Sequence, residues 1–237
     1  MPGVDPRAYI EPVTVPPRED TWVVIAAFNE GAVIYDVVRE VTRDGWSVAL
    51  VDDGSRDDTA AKARSAGAVV LRHSVNLGQG AALQTGIDYA VRRGARSIVT
   101  FDADGQHVAA DIPALVDALG EFDVALGSRF LGSVEGASRR RMMMLRASIV
   151  MSNRLSGLKL TDAHCGFRAF RATAAPKLRI TQDRMAHASQ LLRKLKSNKL
   201  RVTEVPVTIR YTDHSKAKGQ SGFQAIRILF DYFFRSS

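Results

Sequence analysis

The order of elements in this chain predicts an α/β fold on a mostly parallel sheet, and three observations carry that prediction. Up to about residue 130, apolar runs of strand length alternate with segments of helical spacing. The helical segments close on glycine, as at Gly45 and Gly94. Several of the apolar runs end in polar clusters, which read FNE, DDGS, DADGQH and GSR. In sheets of this kind ligands sit beyond the carboxyl ends of the strands, so these clusters are also the candidate site.

Residues 1–20, rich in proline and charge, read as an irregular arm. TWVVIAAF (21–28) reads as a buried strand. The next segment is helical, with Val33, Val37, Val38 and Val41 on one side. WSVALV, AVVLRH, SIVTF and DVALGSRF are the following strands. The helices DDTAAKARSAG, GQGAALQTGIDYAVRRG and DIPALVDALGE separate them. Beyond residue 130 the pattern changes. GSVEGASRRR reads as a loop, MMMLRASIVMSNRLSG as a helix and TDAHCGFRAF as a turn entering a strand. DRMAHASQLLRKLKSNK is a basic amphipathic helix, and LRVTEVPVTIRY is a strand whose proline marks an edge or a bulge. A basic loop and the helical FQAIRILFDYFFR close the chain.

Composition excludes several classes. The 237 residues are 46% hydrophobic and 24% charged, as in a soluble globular domain. No apolar run reaches membrane-spanning length, and no signal-peptide pattern opens the chain. The one cysteine, Cys165, forms no internal disulfide and fits a reducing compartment. Charge is split: residues 1–128 hold 11 basic and 19 acidic side chains, and residues 129–237 hold 22 and 6. The basic half suits phosphates or anionic lipid. Nucleic acid is disfavoured, because aromatics are 7% and no recognition motif is present. A nicotinamide-binding fold is disfavoured by the missing G-x-G-x-x-G after the first strand. The length and the missing late lysine count against a phospho-receiver domain.

Asp102 and Asp104 flank Ala103 at a strand end, with Gln106 and His107 next. Like charges this close need compensation. Their oxygens suit Mg²⁺ or Mn²⁺ bridged to substrate phosphates; a solvated turn with Asp104 as a helix cap is the plain alternative. Asp52 and Asp53 permit two readings as well, a turn whose following Asp57 or Asp58 caps a helix, or hydrogen bonds to a base or ribose. Glu30 is equally open.

AAFNEG, VDDGSRDDT, NLGQGAALQTG, DADGQH, GSRF and TDAHCGFRAF occur in one order over residues 21–215. Together they resemble glycosyltransferase family 2, and within it the polyprenyl-phosphate sugar transferases of the dolichol-phosphate mannose synthase type. The resemblance implies a GT-A nucleotide-sugar-binding sandwich over residues 21–215. It implies donor base and ribose contacts at Phe28, Glu30 and Asp53, and a metal and diphosphate site at Asp102, Asp104 and Gln106. Arg129 matches a phosphate-contacting arginine. Arg141 matches a second one, with its register among Arg139–Arg141 left open. Asp162 matches an acidic residue near the sugar, read here as orienting groups rather than taking a proton. Arg210 and Lys216 fall in a basic segment that closes over phosphates in relatives. Arg129 and Arg141 as plain surface charge is the alternative.

The implied reaction moves a hexose from a UDP-glucose or GDP-mannose type donor to a polyprenyl phosphate, inverting and metal-dependent, at the cytoplasmic face of a membrane, in the synthesis of cell-envelope glycans. Residues 216–237 read as a basic loop and a helix that lies in the membrane interface, packs on the core or joins a homo-oligomer. Met142–Met144 are either a second membrane contact or core packing. Many relatives carry transmembrane helices after the catalytic domain. A membrane-protein partner is therefore a further expectation. Two alternatives remain, a soluble sugar or glycan acceptor, and a non-catalytic nucleotide-sugar-binding membrane module.

Overall fold

The computed structural model describes residues 18–181 and 186–212. Lys216, the C-terminal helical segment and residues 1–17 of the arm lie outside the described residues.

The chain runs β1 (Thr21–Ala27), α1 (Ile34–Arg43), β2 (Ser47–Asp52), α2 (Thr59–Ser65), β3 (Val69–Arg72), α3 (Gln79–Arg92), β4 (Ser97–Asp102), α4 (Ile112–Ala118) and β5 (Val124–Glu135). Then follow α5 (Arg139–Ser156), β6 (Arg168–Arg171), α6 (Ala175–Leu178), α7 (Ala186–Ser197) and β7 (Val202–Arg210). Among the described residues the strands form one seven-stranded sheet, ordered β3-β2-β1-β4-β6-β5-β7. β1 pairs parallel with β2 and β4, β2 with β3, and β5 with β7. Of these seven strands only the short β6 runs antiparallel, between β4 and β5.

The continuous apolar runs follow from burial on both faces of the sheet. Val23, Ile25 and Ala27 of β1 enter one core with α1 and α4, while Val24 between them enters a second core with α3, α6 and α7. β4 divides the same way: Val99 and Phe101 join the first core and Ile98 the second. α3 sits very close to the sheet at Gly86, where an added Cβ would come within 2.4 Å of Val24 Cγ1.

Three expectations change. Ile34, not Val33, heads the buried face of α1, because Val33 is the residue before the first turn. The stretch expected as a loop from Gly132 to Arg141 divides in two. Gly132–Glu135 continue β5, with Ser133, Val134 and Glu135 paired to Thr208, Ile209 and Arg210 of β7, and Arg139–Arg141 form the first turn of α5. Ser138 caps that turn by accepting from the Arg141 N–H at 3.2 Å. Asp104 caps no helix, since its carboxylate accepts from Gln106; at α2 the cap residue Asp58 makes no side-chain bond, and Asp57 Oδ1 accepts from Thr59 N at 3.1 Å. Pro206 lies, as expected, on the edge strand and beside the register shift between Ser128 and Ser133.

The antiparallel direction of β6 decides where its flanking turn lies. It places the N-terminal end of β6, and the turn 161–167 before it, at the sheet edge that holds the C-terminal ends of β4, β5 and β7.

Gly86→Ala is expected to overpack the α3–β1 contact and cost about 1–3 kcal/mol. Chemical denaturation of the two proteins side by side measures it, and an unchanged midpoint would contradict the close approach.

Candidate active site

The sheet edge is built from loops that hold one another. Asn29, in the left-handed region at φ 54, turns the chain after β1. Asn29 N donates to Ser55 Oγ (2.9 Å), Glu30 N to Thr59 Oγ1 (2.8 Å), Gly31 N to Asp57 Oδ2 (2.9 Å), and Arg56 N to Asn29 Oδ1 (2.9 Å). The first two loops are thus stitched together beside a cleft of about 710 Å³ lined by Phe28, Gly54, Arg56, Arg72 and the 73–76 loop. Phe28 is 43% exposed at this cleft, an aromatic face open to a planar ligand.

Asp53 is buried and faces inward. Its Oδ1 accepts from Leu77 N (2.9 Å) and lies 2.7 Å from His73 Nδ1, and its Oδ2 accepts from Gly78 N (2.8 Å). It tethers the 73–78 loop, part of which lines the cleft. Asp52 behaves likewise: Oδ1 accepts from Ser55 N (3.0 Å), and Arg72 Nε lies 3.1 Å from Oδ2.

At the end of β4 the chain turns immediately. Asp104 Oδ1 accepts from Gln106 N (3.1 Å) and Oδ2 from the Gln106 amide (2.7 Å). Burial, and after it the negative charge of Asp102, hold the Asp104 carboxyl above the usual carboxylate range. His107 is fully enclosed between Phe101 (5.2 Å, edge-on) and Phe167 (4.7 Å, stacked). Its Nδ1 accepts from Asp102 N (3.1 Å), which leaves Nε2 to carry the proton toward Asp102 Oδ2, 3.3 Å away. Burial pulls its pKa down to about 4, so the ring is neutral at physiological pH and orients Asp102 as a donor. Gln106 O accepts from Arg210 N (2.8 Å), which ties this turn to the end of β7. The Arg210 side chain itself turns to Glu135, 3.4 Å away.

The opposing wall is cationic. Arg129 on β5 is 9% exposed and Asp162 2%. Arg129 Nε donates to Asp162 Oδ2 at 2.5 Å, and Nη1 donates to Tyr211 Oη at 2.8 Å. Burial opposes the guanidinium charge, but Asp162, with Cys165 and Tyr211, outweighs it and holds Arg129 above its ordinary range. Glu204 of β7 fixes the turn that carries Asp162, accepting from Thr161 N (2.8 Å) and Asp162 N (2.9 Å). Arg141 lies over the Tyr211 ring at 4.5 Å. The guanidinium groups of Arg129 and Arg141 thus meet on one phenol. Tyr211 and Glu204 went unread in the sequence, because each sat within the run read as the strand LRVTEVPVTIRY; His107 stood out only as part of the polar cluster after Asp104.

Fold and site together define a GT-A-type glycosyltransferase, a two-faced sheet with acidic and basic clusters at one strand edge. The chain belongs to glycosyltransferase family 2: the family model described as Glycosyl transferase family 2 matches residues 22–179. It is 30% identical over 239 residues to a UDP-N-acetylglucosamine–dolichyl-phosphate N-acetylglucosaminyltransferase of Methanococcus voltae, covering 90% of this chain and 93% of the relative. It is 31% identical over 212 residues to the polyprenol monophosphomannose synthase of Mycolicibacterium smegmatis, covering 84% and 80%. Among solved structures, the glucosyl-3-phosphoglycerate synthase of Mycobacterium tuberculosis, in complex with Mn²⁺, UDP-glucose and phosphoglyceric acid, superposes with a TM-score of 0.62. That likeness is at 20% identity over 80% of this chain and 70% of that one, and it shows the fold.

The enclosed histidine gives a pH signature. Unfolded, His107 takes a proton near pH 6.5; folded, only near 4. Between those values the unfolded chain binds more protons, so stability falls as pH drops through that window. The loss from this group is about 3 kcal/mol, and His164, also lowered by burial, adds to it. Urea unfolding at pH 7 and pH 4.5 should show a smaller pH difference in His107→Asn than in the parent; equal differences would contradict the assignment.

Proposed function

We propose that this glycosyltransferase moves a hexose from a nucleotide sugar to a polyprenyl phosphate, with inversion and with a divalent ion, at the cytoplasmic face of a membrane. The observation that carries the reading is the juxtaposition at one sheet edge of half-buried carboxylates at the β4 end and two guanidinium groups held by Tyr211.

The donor set fits a hard divalent cation. Asp102 and Asp104 would supply oxygen ligands, and Asp104 is a half-buried carboxyl made costly to ionise by desolvation and then by the charge of Asp102, which is the condition a cation relieves. Gln106 orients Asp104 through its amide. Among the described residues no group of three or more His, Cys, Asp or Glu converges on a metal position. Asp102 and Asp104 would hold the ion with diphosphate oxygens and water as further ligands, the usual arrangement for Mg²⁺ or Mn²⁺. When bound, the ion neutralises charge developing on the leaving diphosphate. Phe28 presents its face at the cleft for the base, and Asp53 shapes the loop beside it.

Arg129 and Arg141 suit a phosphate monoester. Arg139–Arg141 also crowd the positive end of the α5 dipole, an arrangement an anion relieves. An acceptor phosphate is already anionic, so its oxygen attacks the anomeric carbon, the bond to the diphosphate breaks, and no general base is needed. Asp162, buried and bonded to Arg129, orients that arginine. The names of the relatives support the lipid-phosphate acceptor. Among the described residues no helix is long and apolar enough to cross a membrane. Attachment would rest on the basic half of the chain, with the segment 216–237 and a membrane-protein partner as the contributors to test.

The assay incubates the protein with labelled UDP-glucose or GDP-mannose, Mn²⁺ and a short polyprenyl phosphate, then extracts with organic solvent. Label enters the organic phase, and Asp104→Asn lowers that transfer by about 100-fold or more. Label passing only to a soluble acceptor, or full transfer by Asp104→Asn, would overturn the reading.

A further inference from the structure

On the α3 face of the sheet, directly behind the Asp102 end of β4, lies a second cavity of about 170 Å³. Leu83, Ile87 and Phe170 line it with apolar surface, and Asp102, His164 and Arg168 supply polar groups. The alternation of β6 explains the arginine. Phe167 and Ala169 enter the α1 side of the sheet, so Arg168 and Phe170 face α3 and the cavity.

Arg168 is only 8% exposed. Among the described residues, no hydrogen bond or ion pair reaches its guanidinium; Asp102 and Asp162 act on it through charge alone. Burial, more than any neighbour, pulls its pKa below the ordinary range. A buried guanidinium carries five donors and costs several kcal/mol to desolvate. Such a group facing a cavity is left in place to meet something that accepts hydrogen bonds.

The size of the cavity limits the occupant. Its volume corresponds to about five or six waters and falls below the range of about 300 Å³ upward that holds drug-sized ligands. A nucleoside or an isoprenoid chain does not fit; a single six-membered ring does. Apolar walls suit the C–H face of such a ring, and a fork of donors at one end suits its hydroxyl oxygens. The position suits it as well, because Asp102 belongs both to this cavity and to the diphosphate-binding turn.

We propose that this cavity receives the transferred sugar ring of the donor, with Arg168 donating hydrogen bonds to its hydroxyl oxygens. The assignment rests on the proposed donor site and adds to it the residue that recognises the sugar. Gly166 at the cavity rim is then constrained. An added Cβ there would come within 2.7 Å of Asp102 Oδ2 and push the carboxylate that the two subsites share.

Calorimetric titration separates the sugar from the nucleotide. With Mn²⁺ present, the parent protein is titrated with UDP, GDP, UDP-glucose and GDP-mannose, and the ratio of nucleotide-sugar to nucleoside-diphosphate affinity is taken for whichever base binds. Arg168→Gln is expected to lower that ratio about tenfold or more while leaving nucleoside-diphosphate affinity within about twofold. Ile180→Phe, which fills the cavity from its far wall without touching the charge, is expected to lower the same ratio and covers the case in which Arg168→Gln does not fold. Ratios unchanged in the folded variants, with nucleoside diphosphate still bound, would overturn the sugar assignment alone. Failure of the parent to bind either diphosphate would overturn the donor reading, and the sugar assignment with it.

Discussion

Arg129 and Asp162 meet at 2.5 Å, almost entirely out of water, and the working edge of the sheet is arranged around that contact. It joins β5 to the turn that precedes β6, and through Tyr211 it reaches the end of β7 and the first turn of α5. A buried ion pair is not in itself a source of stability, since desolvation offsets much of its attraction, but removing one partner strands the other charge at a cost of about 3–5 kcal/mol. Its contribution here is geometric. A guanidinium with Nε on a carboxylate and Nη1 on a phenol keeps a fixed direction, and Glu204 fixes the carboxylate in turn. The cationic wall is therefore set before any ligand arrives, the condition under which electrostatic stabilisation acts without reorganisation.

The opposite wall follows the same logic with the sign reversed. His107, kept neutral between two phenylalanines, holds Asp102 from below, while Gln106 holds Asp104 from the side. The backbone bond from Arg210 to Gln106 and the isolated bridge between His107 and Ile209 connect this turn to β7. β7 thus touches both walls, and the antiparallel strand β6 brings the Asp162 turn between them. An edge of this kind needs the strand order the sheet has: a parallel β6 would carry that turn to the far end of the molecule.

Much of this was legible in the chain. Strands buried on both faces read as unbroken apolar runs, so β1, β2 and β4 and the polar clusters at their ends stood out. Arg129 and Asp162 were legible as motif residues, and Asp102 and Asp104 as paired carboxylates. The extension of β5 was hidden, because GSVEG carries turn residues and is held as strand only by its pairing with β7. The inward role of Asp53 was hidden too, since its partners are backbone N–H groups twenty-odd residues away, which no local pattern reports. Tyr211 and Arg168 gave no signal because their significance is what they meet across the sheet. The triple arginine gave no sign that it opens α5, because the Ser138 cap follows turn residues that read as loop.

The central claim is that the β4 carboxylates hold a divalent ion carrying the donor diphosphate, across from guanidinium groups kept in place by Asp162 and Tyr211. A crystal structure grown with Mn²⁺ and UDP-glucose or GDP-mannose tests it most directly. The expected result is an anomalous peak within bonding distance of an Asp104 oxygen, bridged to the diphosphate, with the base at Phe28. A nucleotide bound elsewhere, or a metal away from Asp102 and Asp104, would contradict it.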